Sequence, residues 1–152
     1  VMGGRAVAGA IARHAPAEIF AAAQGLGATL NGAPIRAAPT TEIGRAIIEA
    51  GWSLRVPIAR FHRLAERVSA AGAGLRCGGS GALGLVEAAA GRLDAYLELH
   101  INSWDAAAAI AIAREAGCWT NAFDSGDWLA SGNPVGVGAP ALGAQLAALL
   151  ET

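Results

Sequence analysis

The sequence contains no lysine, because all eleven of its positive side chains are arginine. This absence excludes a Schiff-base lysine and the phosphate-binding lysine of a P-loop. Charged residues make up only 15% of the chain, and the formal net charge of -1 provides no field that would attract nucleic acid or an anionic membrane. The composition therefore predicts neither a nucleic-acid partner nor a membrane partner.

Cysteines and long apolar runs are also scarce. The two cysteines, Cys77 and Cys118, are far apart and lack the spacing of metal ligands. We therefore favour a cytoplasmic chain with free thiols, with a single disulfide as the alternative. The longest apolar stretch, residues 104–113, is interrupted by Asp105 and is too short to cross a bilayer, and the first residues lack the pattern of a signal peptide.

The chain does contain enough apolar residues for a real core, at 54% of 152 residues. Alternating apolar residues predict strands at residues 6–11 and 18–22, and the dipeptide Asn31-Gly32 predicts a tight hairpin turn. We interpret residues 1–42 as a remnant of an antiparallel sheet built from hairpins. No helix is predicted in that range.

From residue 46 onward, predicted strands and helices alternate, which is typical of an α/β region with helices on the faces of a sheet. The pattern predicts a helix over residues 58–68, short strands at residues 75–77, 118–121 and 128–129, and a closing helix from Pro140. The predicted fold class is α/β (α+β), with residues 43–152 forming a C-terminal α/β domain.

A glycine-rich turn, Gly78-Gly79-Ser80-Gly81, leads into a predicted helix that ends near Gly91. Ser80 is a favourable N-cap residue, and glycine is favoured just beyond a helix end. Such a turn exposes backbone N–H groups that suit an anion, phosphate above all. The alternative is that the glycines serve only the geometry of the turn.

Glu98 and Asp105 lie on either side of a short polar turn between a predicted strand and a very apolar helix. A carboxylate in such surroundings is costly unless it is paired or holds a metal ion. Asp105 can be interpreted as a helix cap or as a metal ligand. Glu98 can be interpreted from its position as a strand-end glutamate paired with Arg92 or another arginine.

Four short motifs follow one another along the chain. Residues 25–32 read G-L-G-A-T-L-N-G, residues 76–83 R-C-G-G-S-G-A-L, residues 91–96 G-R-L-D-A-Y, and Trp104-Asp105 is followed by Glu115-Ala116-Gly117. In this order and spacing they resemble the motifs of the inositol monophosphatase-like, magnesium-dependent phosphatases. The resemblance spans essentially the entire chain and implies the layered α/β sandwich of that family.

The resemblance also implies a function. Gly79, Ser80 and Gly81 would bind phosphate, Glu98 would bind hydroxyls of the leaving group, and Asp105 would be a ligand of Mg²⁺. The implied substrate is a small phosphate ester, with inositol 1-phosphate or a similar polyol phosphate favoured, and the implied assembly is a homodimer. A 3′-phosphonucleotide, histidinol-phosphate or sugar-bisphosphate phosphatase stays open, as does a non-catalytic α/β interaction module.

Several features differ from the family pattern. The chain lacks the upstream D-P-[IL]-D-G-T segment and the helix with a metal-binding glutamate, so it corresponds to the C-terminal half of a family member. We therefore expect no catalytic residue in this chain and no activity from it alone. In addition, Ala108 and Ala109 stand where the family has at least one glycine, and Cys118 replaces the second glycine of E-A-G-G.

Overall fold

In a computed structural model, which describes residues 1–151, the chain begins with a four-stranded antiparallel sheet. Its strands, paired in sequence order, are β1 (Ala8–Arg13), β2 (Glu18–Ala23), β3 (Ala28–Leu30) and β4 (Ala33–Pro34). Asn31 and Gly32 have positive φ angles of 50° and 81°, which lets two residues connect β3 to β4. The predicted hairpin is confirmed.

A second, five-stranded sheet occupies the rest of the chain, in the order β6-β5-β7-β9-β8. Its strands are β5 (Ile47–Gly51), β6 (Gly74–Arg76), β7 (Ala95–Ile101), β8 (Trp119–Thr120) and β9 (Asn133–Gly138). The helices are α1 (Ile58–Ala70), α2 (Gly81–Ala89), α3 (Ser103–Glu115), α4 (Trp128–Ser131) and α5 (Gly143–Leu150). β5 is parallel to β6 and to β7, whereas β9 is antiparallel to β7 and to β8.

The two faces of β7 enter different hydrophobic clusters, because side chains alternate along a strand. Ala95, Leu97 and Leu99 pack with buried residues of α1 and α5. Tyr96 packs on the opposite face with residues of α2, α3 and the first sheet. The layers are therefore the four-stranded sheet, α2 with α3, the five-stranded sheet, and α1 with α5. The predicted layered α/β class is confirmed.

The four-stranded sheet lies directly on α3. A Cβ atom added to Gly9 of β1 would lie 2.5 Å from the Cα atom of Ala108, so glycine is what permits this approach. Ala108, which stands where a glycine was expected, is thus accommodated by a glycine on the facing strand. Phe20 of β2 is fully buried in the same cluster as α2 and α3. The division at residue 42 and the homodimer stay predictions.

Two charged side chains of the motifs, Glu115 and Arg92, connect the first sheet to the helices. Glu115 at the end of α3 accepts hydrogen bonds from two backbone N–H groups of the turn between β2 and β3, at 3.0 and 2.9 Å. Arg92 donates to Glu18 of β2 at 2.7 Å and to Glu87 of α2 at 3.3 Å. These contacts fix the first sheet to the helix layer, so Glu115 and Arg92 have structural roles.

The strand predicted at residues 128–129 is wrong, because these residues open helix α4. The Trp128 indole N–H donates to the carbonyl oxygen of Gly4 at 2.9 Å, and the ring lies edge-on to Phe123 at 5.5 Å between centroids. A buried tryptophan whose N–H is bonded holds the segment in place. The bond to Gly4 joins distant parts of the chain, and the local pattern could not indicate it.

Both cysteines are free thiols, Cys77 exposed and Cys118 half-buried. Burial raises the pKa of Cys118 to about 12. Cys118 follows Gly117, whose φ of 80° ends α3, so the residue that replaces the second glycine of the motif does not occupy the left-handed position. Among residues 1–151, the structure contains no helix of the length and apolarity needed to cross a membrane.

We predict that Gly9→Val lowers the free energy of unfolding by about 1–3 kcal/mol, because the added side chain would overlap the backbone of α3. Ala12→Val in the same strand is the matched control, since Ala12 is exposed and valine suits a strand. Urea denaturation of both variants measures the difference. Equal stability of the two variants would contradict the described contact between β1 and α3.

Candidate active site

The carboxyl ends of β6, β5 and β7 meet at one edge of the second sheet, because these neighbouring strands are parallel. Ligands of α/β sheets bind outside the carboxyl ends of the strands. A cavity of about 920 Å³ opens at this edge. Its walls come from the segments that follow the three strands, including residues 51–55, 77–82 and 100–102, together with Asp105.

The glycine turn forms the wall after β6. Gly79 has a φ of 83°, and Ser80 is the N-cap of α2, its hydroxyl accepting a hydrogen bond from the Leu83 N–H at 3.4 Å. The first N–H groups of a helix have no partner within the helix, so those of Gly81 and Ala82 are available at this wall. The predicted cap is confirmed, and the turn presents the donors that an anion requires.

Glu98 lies in β7 and lines the cavity, although only 6% of the residue is exposed. Its Oε2 atom accepts a hydrogen bond from the Tyr96 hydroxyl at 2.6 Å. Burial raises the pKa of Glu98, while the hydrogen bond from Tyr96 and the charges of His100 and Arg55 act in the opposite direction. The pairing of Glu98 with Arg92 is wrong, since Arg92 binds two other glutamates.

Asp105 lies in the first turn of α3, where the helix dipole favours a negative charge. The helix begins at Ser103 and its N-cap residue is Asn102, so the interpretation of Asp105 as the cap is wrong. Asp105 is exposed, and in the described part of the chain its carboxylate has no hydrogen bond or ion pair. A free carboxylate therefore borders the cavity.

The five residues named from the sequence lie around one cavity: Gly79, Ser80, Gly81, Glu98 and Asp105. The negative charge of Asp105 raises the pKa of Glu98, so the two carboxyl groups interact across the site. The cavity thus brings the backbone N–H groups at the start of α2 close to two acidic side chains. The roles of the five residues stay predictions.

Magnesium is the cofactor that the resemblance implies, and it prefers an octahedron of oxygen ligands. Asp105 fits as one such ligand, because its carboxylate is exposed and unpaired within residues 1–151. Across those same residues, no group of three or more histidine, cysteine, aspartate or glutamate side chains is arranged to hold a metal ion. Asp105 is thus an exposed, unpaired carboxylate at the cavity within the described residues.

Sequence reasoning missed several residues of the cavity. Tyr96 carries the hydroxyl bound to Glu98, and the period of two in a strand could have placed both side chains on one face. Trp52 and Phe61 form an aromatic wall, with ring centroids 6.5 Å apart. His100 lies where a bulge shifts the register between β7 and β9, and its Nε2 is 2.9 Å from the Ser131 carbonyl oxygen. No local pattern indicated that bulge.

The model of the inositol monophosphatase family matches residues 1–152. The chain belongs to the inositol monophosphatase family. The inositol-1-monophosphatase of Synechocystis sp. is 39% identical over 113 residues, which are 70% of this chain and 38% of that protein. The Nus factor SuhB of Vibrio cholerae is 37% identical over 121 residues, which are 78% of this chain and 45% of that protein.

A solved structure of Mycobacterium tuberculosis SuhB superimposes with a TM-score of 0.87 at 35% identity, covering 99% of this chain and 60% of the other. The inositol monophosphatase fold is therefore shared along 99% of this chain. The chain spans about half the length of the relatives it matches in sequence. The resemblance stated from the four motifs is confirmed.

We predict that Ser80→Ala lowers the free energy of unfolding by about 1 kcal/mol, because the Leu83 N–H loses its cap. Ser69→Ala is the matched control, since the Ser69 hydroxyl only bonds the carbonyl oxygen of Ala65 on the exposed side of α1. Its effect should stay within about 0.5 kcal/mol. Thermal denaturation of the two variants compares them, and an equal loss from both would contradict a capping role for Ser80.

Proposed function

We propose that this chain forms the substrate-binding side of a Mg²⁺-dependent phosphomonoesterase that hydrolyses inositol 1-phosphate or a similar polyol phosphate. The observation that carries the proposal is that the glycine turn, Glu98 and Asp105 line one cavity at the carboxyl ends of the parallel strands. Membership of the inositol monophosphatase family supports the reaction class. The substrate is what the resemblance of the motifs implies, and the position of Glu98 at the cavity supports it.

Different residues of the cavity would contact different parts of the substrate. The phosphate group would lie against the N–H groups at the start of α2, where the turn and the helix dipole favour an anion. Glu98 would accept hydrogen bonds from hydroxyl groups of the leaving alcohol, and a charged acceptor forms stronger bonds than a neutral one. Asp105 would lie close to the phosphate as a metal ligand. One side of the cavity would therefore bind the anionic phosphate, and the other would bind the hydroxyl groups of the leaving alcohol.

Bound Mg²⁺ would lower the pKa of water and polarise the phosphoryl oxygens. Asp105 would hold it together with carboxylates from a segment outside this chain, because the ion requires more oxygen ligands than Asp105 supplies. In that arrangement this chain orients the ester, and the second segment completes the metal site. The chain alone would then be inactive.

A non-catalytic role is the second candidate, and a specific observation favours it. Among the relatives, the proteins of Vibrio cholerae and Haemophilus influenzae are named Nus factor SuhB, not phosphatase. A protein of this fold that acted only by binding a partner would depend on the packed layers but not on the cavity. A change of substrate to a 3′-phosphonucleotide, histidinol phosphate or sugar bisphosphate would instead keep the cavity and the metal.

We predict that a gene product that carries the upstream carboxylates of the family releases phosphate from inositol 1-phosphate when Mg²⁺ is present, whereas residues 1–152 alone do not. Phosphate release with and without a chelator measures the reaction. If residues 1–152 alone hydrolysed the ester, the proposal that the metal site needs carboxylates from a second segment would be wrong. No hydrolysis of any phosphate ester by the gene product would favour the interaction module.

We further predict that Glu98→Gln raises the KM for inositol 1-phosphate about tenfold, because a neutral amide is a weaker acceptor for the substrate hydroxyls. The KM for a phosphate ester without neighbouring hydroxyls, such as p-nitrophenyl phosphate, should change less than about twofold. Steady-state kinetics on both substrates makes the comparison. An equal rise for the two esters would argue against a contact between Glu98 and the polyol.

A further inference from the structure

The Tyr96 hydroxyl and the Glu98 carboxylate form a buried pair beneath the cavity. Tyr96 is 1% exposed, and its hydroxyl donates to Glu98 Oε2 at 2.6 Å. Burial and the charge of Glu98 raise the pKa of Tyr96, so the phenol keeps its proton and remains a donor. The bond therefore has a fixed direction, from the tyrosine to the carboxylate.

Three glycines provide the space that this pair occupies. A Cβ atom on Gly51 would overlap the Tyr96 hydroxyl, and one on Gly84 would overlap the Tyr96 ring. A Cβ atom on Gly81 would lie 3.2 Å from the same hydroxyl. The glycines belong to β5 and α2, so the tyrosine is held from two sides. The ring therefore packs closely against the backbone of both elements.

The second oxygen of Glu98 is open to the cavity. Within residues 1–151, the side-chain polar atoms that are sealed from solvent and lack a hydrogen bond are Arg13 Nε, Glu49 Oε2 and His100 Nδ1. Glu98 Oε1 is not among them and has no protein donor, although the residue is buried. One oxygen is thus held by Tyr96, and the other can accept a hydrogen bond from a ligand.

We propose that Tyr96 is a positioning residue, whose hydroxyl fixes the Glu98 carboxylate so that Oε1 faces the hydroxyl groups of the bound substrate. The inference rests on the proposed function for its substrate, but it concerns a different residue and makes a different prediction. Without the tyrosine hydroxyl, the carboxylate would rotate among several orientations, and binding would lose the benefit of preorganisation. Tyr96 would act on the substrate through Glu98 and not on the reacting atoms.

The first test is a double-mutant cycle in the intact gene product with Mg²⁺ and inositol 1-phosphate. Tyr96→Phe keeps the ring and removes only the hydroxyl, and it should raise KM about tenfold while kcat changes less than twofold. In the Glu98→Gln background the same substitution should change KM less than about twofold, because the carboxylate that Tyr96 orients is gone. Thr120→Val, which removes a hydroxyl from β8 outside the cavity, should leave both constants unchanged.

Two kinetic outcomes would overturn the inference. If Tyr96→Phe raised KM equally with the Glu98 carboxylate present and in the Glu98→Gln background, Tyr96 would have a structural role alone. A fall in kcat with KM unchanged would place Tyr96 in the chemical step. Either result leaves the proposed function standing, so the failure of this inference is distinguishable from the failure of that function.

The second test needs no turnover, because Tyr96 is the only tyrosine in the sequence. In protein labelled at the tyrosine Cζ atom, the single resonance should shift in Glu98→Gln and remain in place in Thr120→Val. An unchanged resonance in Glu98→Gln would overturn the inference whatever the activity. A shifted resonance in a protein that does not hydrolyse inositol 1-phosphate would support the pair and refute the proposed substrate.

Discussion

The parallel pairing of β5 with β6 and with β7 is the constraint on which the cavity depends. Because the three strands end at one edge, the segments that follow them meet there although they are distant in sequence. The register of β7 matters equally, since a shift by one residue would turn Glu98 toward the face covered by α1 and α5. The sheet therefore determines both where the cavity lies and which side chains enter it.

The electrostatics of the cavity follow from how much of each carboxylate remains in water. Glu98 is buried, which raises its pKa, and the hydrogen bond from Tyr96 offsets part of that effect. Asp105 is exposed at the start of α3, where solvent and the helix dipole stabilise its charge. The buried Glu98 is thus suited to a directed hydrogen bond, whereas the exposed Asp105 is suited to binding a cation. A ligand hydroxyl on Glu98 Oε1 would further stabilise the buried charge.

Local chemistry explains which parts of the fold could be predicted from the sequence. The Asn31-Gly32 turn and the Ser80 cap depend on residues adjacent in the chain, and both were confirmed. The segment at Trp128 was predicted wrongly because its conformation depends on a bond to Gly4 and a ring contact with Phe123. The site residues came from the family resemblance, whereas the bond from Tyr96 to Glu98 needed the register and the surrounding glycines.

The acidic side chains of this chain separate into two groups when their partners are compared. Glu87 binds Arg13 and Arg92, and Asp124 receives two hydrogen bonds of 2.7 Å from Arg114. A carboxylate that is satisfied within the fold stabilises the packing and has little capacity left for a ligand.

Asp105 and the second oxygen of Glu98 have no such partner in residues 1–151, and both border the cavity. Glu42, Glu66 and Asp127 also lack a side-chain partner in residues 1–151, so a free acceptor alone does not identify the site. Asp105 and Glu98 are assigned to ligand binding because they combine a free acceptor with a position at the cavity.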